Sequence, residues 1–294
     1  MKALCFGSLN IDYTYRVDHF VARGETLLSL GLQVFSGGKG LNQSIALSRA
    51  GAAAYHAGSI GTDGLFLLEE LRQAGVNTDC VTVSREIRTG HAIIQNSPDG
   101  DNCILLYGGA NQAIERAQVD AVLARFAPGD VLVLQNEVNE LDYIMERAHE
   151  HGLRIALNPS PMNEKIMSLP LHTVDWLLLN EVEAEQLLGY DVTDGAAAAA
   201  QLHEKFPRTA IVLTMGRQGS YYHDGAQALH QSAFPVHAVD TTAAGDTYTG
   251  YFLAGILENR PVQEAMALGA KAAAISVTRK GAAPSIPLRS EVTL

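Results

Sequence analysis

Short apolar runs alternate along the chain with stretches in which apolar residues recur every three or four positions, the pattern of buried parallel strands covered by helices. Strands are predicted over Leu4–Leu9, Ala52–Ser59, Val131–Gln135, Arg154–Asn158, Trp176–Leu179 and Ala210–Thr214. Helical periodicity predicts helices over Gly40–Gly51, Leu65–Ala74, Leu141–Glu150, Ala196–Lys205 and Tyr248–Leu257; the alanine run Ala196–Ala200 reads as a tightly packed helix. Two regions break this rhythm. Residues 13–32 and 89–107 are extended and alternating, and the second carries the turn residues Asn96, Pro98, Asp99 and Gly100. They read as an antiparallel β appendage inserted twice into a single domain spanning 1–294, placed as a lid over a cleft. Its exposed edges invite pairing, which predicts a homodimer through the lid.

Composition narrows the partners. The 294 residues are 47% hydrophobic and 18% charged, enough for a sizeable core and too apolar for a disordered chain. A net charge of −11, from 21 Lys and Arg against 32 Asp and Glu, offers no long basic patch for nucleic acid, although an anion can still bind where donors cluster. No apolar run approaches the roughly 20 residues that cross a bilayer. The Met1–Gly7 segment is shorter than a signal peptide's apolar core, so a cytoplasmic location is expected. Cys5, Cys80 and Cys103 stand far apart and fit neither a disulfide framework nor a zinc knuckle.

Candidate chemistry sits in five segments. The loop Gly37-Gly38-Lys39-Gly40-Leu41-Asn42 is not a Walker A loop, because Gln33 stands where its first glycine belongs and Gly40 where Ser or Thr would reach magnesium. It still brings backbone, Lys39 and Asn42 to the start of a helix. Nor do the glycines of Gly58–Gly64 have the offsets of a dinucleotide fingerprint. Asn10 and Asp12, two apart at the end of the first strand, share one face and can hydrogen-bond adjacent hydroxyls of a polyol or sugar, or serve as a turn or cap. Asn180-Glu181-Val182-Glu183 has the spacing of a capping box, and Glu183 also suits a hydrated magnesium ion. Thr214–Gly219 fits a tight hairpin or a nucleotide-contacting loop. In Asp240–Thr247 the small residues before a helix leave backbone N–H groups open to an anion, with Asp246 in the first turn. A carboxylate beside such a site is what phosphorylation of a hydroxyl requires.

Taken together, the Gly37-Gly38-Lys39-Gly40-x-Asn42 loop, the Asn180-x-x-Glu183 element and the Asp240-Thr241-x-Ala243-Ala244-Gly245-Asp246 segment resemble the PfkB sugar kinases, most nearly the ribokinase group. The resemblance runs from Gly7–Asp12 to Thr278–Ser285. It implies a ribokinase-like three-layer α/β/α sandwich with a mostly parallel central sheet and a small antiparallel β lid. It also implies ATP-dependent phosphorylation of a primary hydroxyl, most nearly D-ribose to ribose 5-phosphate. Deoxyribose, fructose, a sugar acid or a nucleoside are alternative acceptors, and a non-catalytic sugar sensor is an alternative role.

By the same resemblance Asn10, Asp12, Gly38, Lys39, Asn42 and Glu137 bind the sugar. Asp246 is the general base, and Ala243, Ala244 and Gly245 form the anion hole. Asn180, Thr214, Gly216, Gly219 and Gly245 contact the nucleotide, and Glu183 holds magnesium indirectly. Asp240, Thr242, Ser276, Arg279, Gly281 and Ser285 surround an activating potassium ion. Gly109-Ala110-Asn111 matches a lid-proximal element of the family. Three features depart from the pattern: Glu137 stands in Gln135-Asn136-Glu137-Val138-Asn139 rather than Glu-Ser-Pro, Tyr251 replaces a small residue, and Ala270 lies where Asn or His often flanks adenine. Tyr13, Tyr15 and Arg16 on the lid either contact a larger or more anionic acceptor or pack the lid.

Overall fold

The computed structural model describes residues 1–294. Its strands are β1 (Lys2–Phe6), β2 (Asn10–Arg16), β3 (Gly31–Gly37), β4 (Ala53–Gly61), β5 (Asn77–Ser84), β6 (Gly90–Asn96), β7 (Asn102–Tyr107), β8 (Val131–Gln135), β9 (Arg154–Asn158), β10 (Trp176–Asn180), β11 (Ala210–Thr214), β12 (Ser220–His223) and β13 (Ala228–Gln231). Its helices are α1 (Lys39–Arg49), α2 (Leu65–Gln73), α3 (Arg116–Leu123), α4 (Leu141–Glu150), α5 (Glu181–Leu188), α6 (Gly195–Lys205), α7 (Ala244–Leu257) and α8 (Val262–Ser276).

Nine strands form one sheet in the order β13-β12-β11-β10-β9-β8-β1-β4-β5, parallel except for the β12 and β13 pairings. Alternation along β1 shows why it is covered on both faces. Ala3 and Cys5 point into a core built with α1, α2, α7 and α8, whereas Leu4 and Phe6 point into a second core built with α3 to α6. Three layers follow. After β1 the chain builds outward through β4 and β5; β8 then returns to the other side of β1 and growth reverses direction. Open α/β sheets bind ligands at such a switch, outside the carboxyl ends of the strands. Here those ends are Gly7–Ser8 after β1 and Asn136–Glu137 after β8.

The lid is a four-stranded sheet in the order β3-β2-β6-β7. It differs from the expected antiparallel appendage in one respect: β2 and β6 run parallel, so two antiparallel hairpins are joined side by side. It is also longer than the 13–32 segment, because β2 begins at Asn10 and β3 ends at Gly37. Asn10 and Asp12 therefore open the lid rather than end the first central strand. That strand stops at Phe6 because a side chain at Gly7 would strike the Gln135 amide and the Gly40 backbone, so the chain slips under the start of α1 and changes sheet. No helix is long and apolar enough to cross a membrane.

Candidate active site

Helix α1 begins in the floor of the cleft, and its first turn is buried. Gly38 makes this possible: its φ of 98° lies where L side chains are strained, and a Cβ there would come within 2.9 Å of the Ser8 carbonyl. Ser8 donates its hydroxyl to Glu137, whose Oε2 also accepts the Lys39 backbone N–H at 3.0 Å. Burial pushes the Glu137 carboxyl up, opposed by the Ser8 hydroxyl and Lys39. Asp12 is pushed up to about 6, first by burial and then by the neighbouring Glu137 charge. Asn10 is fixed by Asn111, whose Nδ2 donates to its Oδ1 at 2.7 Å while the Asn111 Oδ1 accepts Leu9 N–H at 3.0 Å. The sugar-side residues expected from sequence thus converge around the starts of α1 and β2, with Ser8 and Asn111 behind them.

Asp246 joins this group from the far end of the chain. It is 7% exposed, and its two oxygens accept the side-chain amides of Asn42 (3.0 Å) and Gln43 (2.9 Å). The backbone turns sharply just before it. Ala243 has φ 59°, ψ 14°, a left-handed conformation uncommon for alanine, and directly precedes α7. The N–H groups of Ala243, Gly245 and Asp246 have no intramolecular partner. Ala244 departs from expectation: its N–H is donated to the Thr241 carbonyl at 3.2 Å, so it is not an open anion donor in this conformation. Apart from the adjoining turn of its own helix, nothing lies within 4 Å of where a Cβ on Gly245 would stand. Packing does not require glycine there; the open space admits a ligand to the helix start.

A cavity of about 190 Å³ runs from Lys39 and Asp246 past Ala243–Gly245 to Asn180, Glu183 and Thr214. Thr241, from the Asp240–Asp246 motif, also lines it, as do Asn158 and Thr249, which no sequence motif marked. Gly216 and Gly219 do not line it. Gly219, at φ 95°, would drive a Cβ into the Gln231 carbonyl, which makes it the residue that lets β12 start, the hairpin reading of this segment. Asn180 and Glu183 form the expected capping box: Asn180 Oδ1 accepts Glu183 N–H, and Glu183 Oε2 accepts Asn180 N–H, each at 3.0 Å.

The two ion sites expected from sequence fit the donors present. The buried Glu183 lines the cavity with each carboxylate oxygen accepting a bond from Asn180, which leaves further lone pairs for a magnesium-bound water. Asp240 is tied to both loops of the second site. Its Oδ1 accepts from Thr242 N–H and hydroxyl, and its Oδ2 accepts Gly281 N–H at 2.8 Å. Burial works against that charge, but these donors hold the carboxyl below its ordinary range. Ser276 and Ser285 donate their hydroxyls to the carbonyls of Ala273 and Ala282 and keep oxygen lone pairs, whereas Arg279 pairs with Glu291 and would offer a cation only its backbone carbonyl. Oxygen donors alone suit a hard cation, and no group of His, Cys, Asp and Glu side chains gathers to hold another metal.

Of the departures, Tyr251 is fully buried and donates its hydroxyl to the Pro287 carbonyl at 2.7 Å. It supports the 281–287 turn from beneath and does not enter the cleft. Ala270 is buried in the core against α7.

The chain as a whole is similar to known proteins. The chain is 37% identical over 296 residues to the ribokinase of Haemophilus influenzae, covering 97% of this chain and 95% of that one. A crystal structure of Cryptococcus neoformans ribokinase in complex with ADP superposes with a TM-score of 0.89 at 33% identity, covering 99% of this chain and 98% of that one. Arabidopsis thaliana ribokinase complexed with ribose and ATP gives 0.87 at 27% identity, covering 99% and 97%. The family model for pfkB carbohydrate kinases matches residues 1–289, and the chain belongs to that family.

Proposed function

We propose that the protein transfers the γ-phosphoryl group of ATP to the primary hydroxyl of D-ribose, giving D-ribose 5-phosphate and ADP. The observation that carries this reading is the position of Asp246: a buried carboxylate standing where the sugar-side residues meet the open N–H groups of α7.

Asn10, Asp12, Asn42 and Glu137 supply acceptors and amides for the ring hydroxyls, and Gly38 and Lys39 close the wall beside them. Asp246 takes the proton of the primary hydroxyl as its oxygen bonds to the γ-phosphorus. The bond from phosphorus to the bridging oxygen of ADP breaks, and the free N–H groups of Ala243 and Gly245 hold the charge on the transferring group. Asn180, Thr214 and Thr241 flank the nucleotide. Glu183 would hold magnesium through water, which would supply neutralisation of phosphate charge, and the Asp240 and Gly281 loops would hold potassium beside the turn that presents Ala243. The lid closes over the sugar and keeps water from the γ-phosphate.

The lid's edge strands expose Leu32, Val34, Ile104, Leu105, Leu106 and Tyr107, an apolar surface that supports pairing of two lids in a homodimer. The need for ATP supports residence in the cytoplasm.

ADP release over a panel of sugars, sugar acids and nucleosides, with magnesium and potassium, tests the assignment. D-Ribose should give the highest kcat/KM; a nucleoside or sugar acid well above it overturns ribose as acceptor. Asp246→Asn should retain sugar binding by calorimetry and lose turnover by about 10³-fold or more. Replacing potassium by a large organic cation should lower the rate, and equal rates would remove the potassium site.

A further inference from the structure

We infer that Gln43 and Gln135, neither of which reaches the cleft, form a positioning dyad that sets the Asp246 carboxylate for proton transfer. The inference rests on the reading of Asp246 as the base.

Gln135 ends the apolar strand β8. Val131 and Val133 of that strand point into the core beneath α1 and α7, and alternation sends the Gln135 side chain the same way. Gln135 and Gln43 are both fully buried. The Gln135 Nε2 donates to Gln43 Oε1 at 2.6 Å, and Gln43 Nε2 donates to Asp246 Oδ1 at 2.9 Å. Chemistry fixes the direction of this chain. An ionised carboxylate only accepts, so Gln43 must turn its NH₂ to Asp246 and its carbonyl away; that carbonyl then requires a donor, and Gln135 supplies it.

The arrangement leaves Gln135 Oε1 buried with no partner. An orphaned acceptor is destabilising, and a hydrophobic residue in the same place would remove that cost. Gly7 is shaped around it, since a Cβ there would collide with the same Oε1. A demand at the other end of the hydrogen-bonded chain accounts for keeping such a group here. The demand is the carboxylate. Asn42 occupies one oxygen and Gln43 the other, so the plane of the group is pinned and its remaining lone pairs face the cavity.

The shape-matched variants Gln43→Met and Gln135→Met test the dyad, with Asp246→Asn measured in parallel. Gln43→Met should lower kcat about 10- to 100-fold, the scale of one hydrogen bond to a charged group. KM for D-ribose and its calorimetric affinity should stay within about threefold. Gln135→Met, one step removed, should lower kcat about 3- to 10-fold, and adding it to Gln43→Met should cause no further loss, because it acts only through Gln43. A folded Gln43→Met enzyme with normal kcat, a loss of affinity equal to the loss of kcat, or additive effects in the double variant each overturn the dyad. Should Gln43→Met fail to fold, normal turnover in Gln135→Met overturns it. Near-normal turnover in Asp246→Asn instead removes the base itself, whatever the glutamine variants do.

Discussion

The two halves of the cleft meet at Asp246 and are made of different material. The proposed sugar half is built from side chains: Asn10, Asp12, Asn42 and Glu137, with Ser8 and Asn111 holding them from behind. The proposed phosphate half is built from main chain, the open N–H groups of Ala243, Gly245 and Asp246 at the start of α7. Partly buried carboxylates crowd the first half, and desolvation pushes both Asp12 and Glu137 upward. The second half contributes backbone dipoles, which do not titrate. An acidic chain can therefore hold a polyphosphate, because its −11 does not describe the potential at one helix start. The difference also teaches what each half tolerates: chemistry is carried by residue identity on one side and by empty space on the other.

The largest effect that would break this contrast comes from filling the space. Gly245→Val places a branched side chain where only the adjoining turn of its own helix lies near, so the fold should keep its Tm within about 2 °C. The same side chain displaces the phosphoryl group, and kcat should fall by about 10²-fold or more. Steady-state rates beside a thermal melt separate the two, and wild-type turnover would refute a backbone-built phosphate site.

Asp12→Asn sharpens the sugar side. Losing a charged acceptor should raise KM for the sugar about tenfold while kcat changes little. Because the Asp12 carboxyl is raised to about 6, the wild-type KM should climb as pH falls through that value, and the Asn variant should not follow. The linked stability has the opposite sense. A carboxyl whose folded value lies above its unfolded one contributes stability that is full below about 4 and lost as pH rises through about 6. The ionised group therefore burdens the empty protein at pH 8, and Asp12→Asn should melt higher there. A pH-independent KM in the wild type would mean that Asp12 does not touch the sugar.

The same division governs how much could be read from sequence. Strands β8, β9 and β11 and helix α4 match their apolar patterns residue for residue, since burial on both faces of the central sheet leaves a continuous apolar run with sharp ends. Strand β5, at the sheet edge, mixes buried and exposed positions and carried no such run, and α8 was likewise unmarked. The change of sheet at Gly7 was hidden because the chain stays extended into β2, and alternation does not register which sheet a residue joins. In the site, Asp246 and the Gly37–Asn42 loop were legible as local motifs. Ser8, Gln43 and Gln135 were not, because their roles arise from contacts between distant segments; Gln135 left one trace, an amide closing the apolar run Val131–Leu134.

The smallest expected change is the most discriminating. Ala243 occupies a left-handed conformation, φ 59°, that costs alanine about 1 kcal/mol or slightly more and glycine almost nothing. Ala243→Gly relieves that strain but widens the unfolded ensemble, a loss of about 0.4 to 1 kcal/mol, so stability should change by less than about 1 kcal/mol. The open backbone N–H of residue 243 is untouched. If the main chain carries the chemistry, kcat should stay within about threefold of wild type although the substitution adjoins the reacting atoms. A comparable removal of side-chain atoms across the cleft, such as Asn10→Ala, should cost about tenfold in sugar KM. Rates measured for the two variants side by side decide the matter: a large loss in Ala243→Gly would mean that the methyl group, and not the amide, shapes the phosphate half.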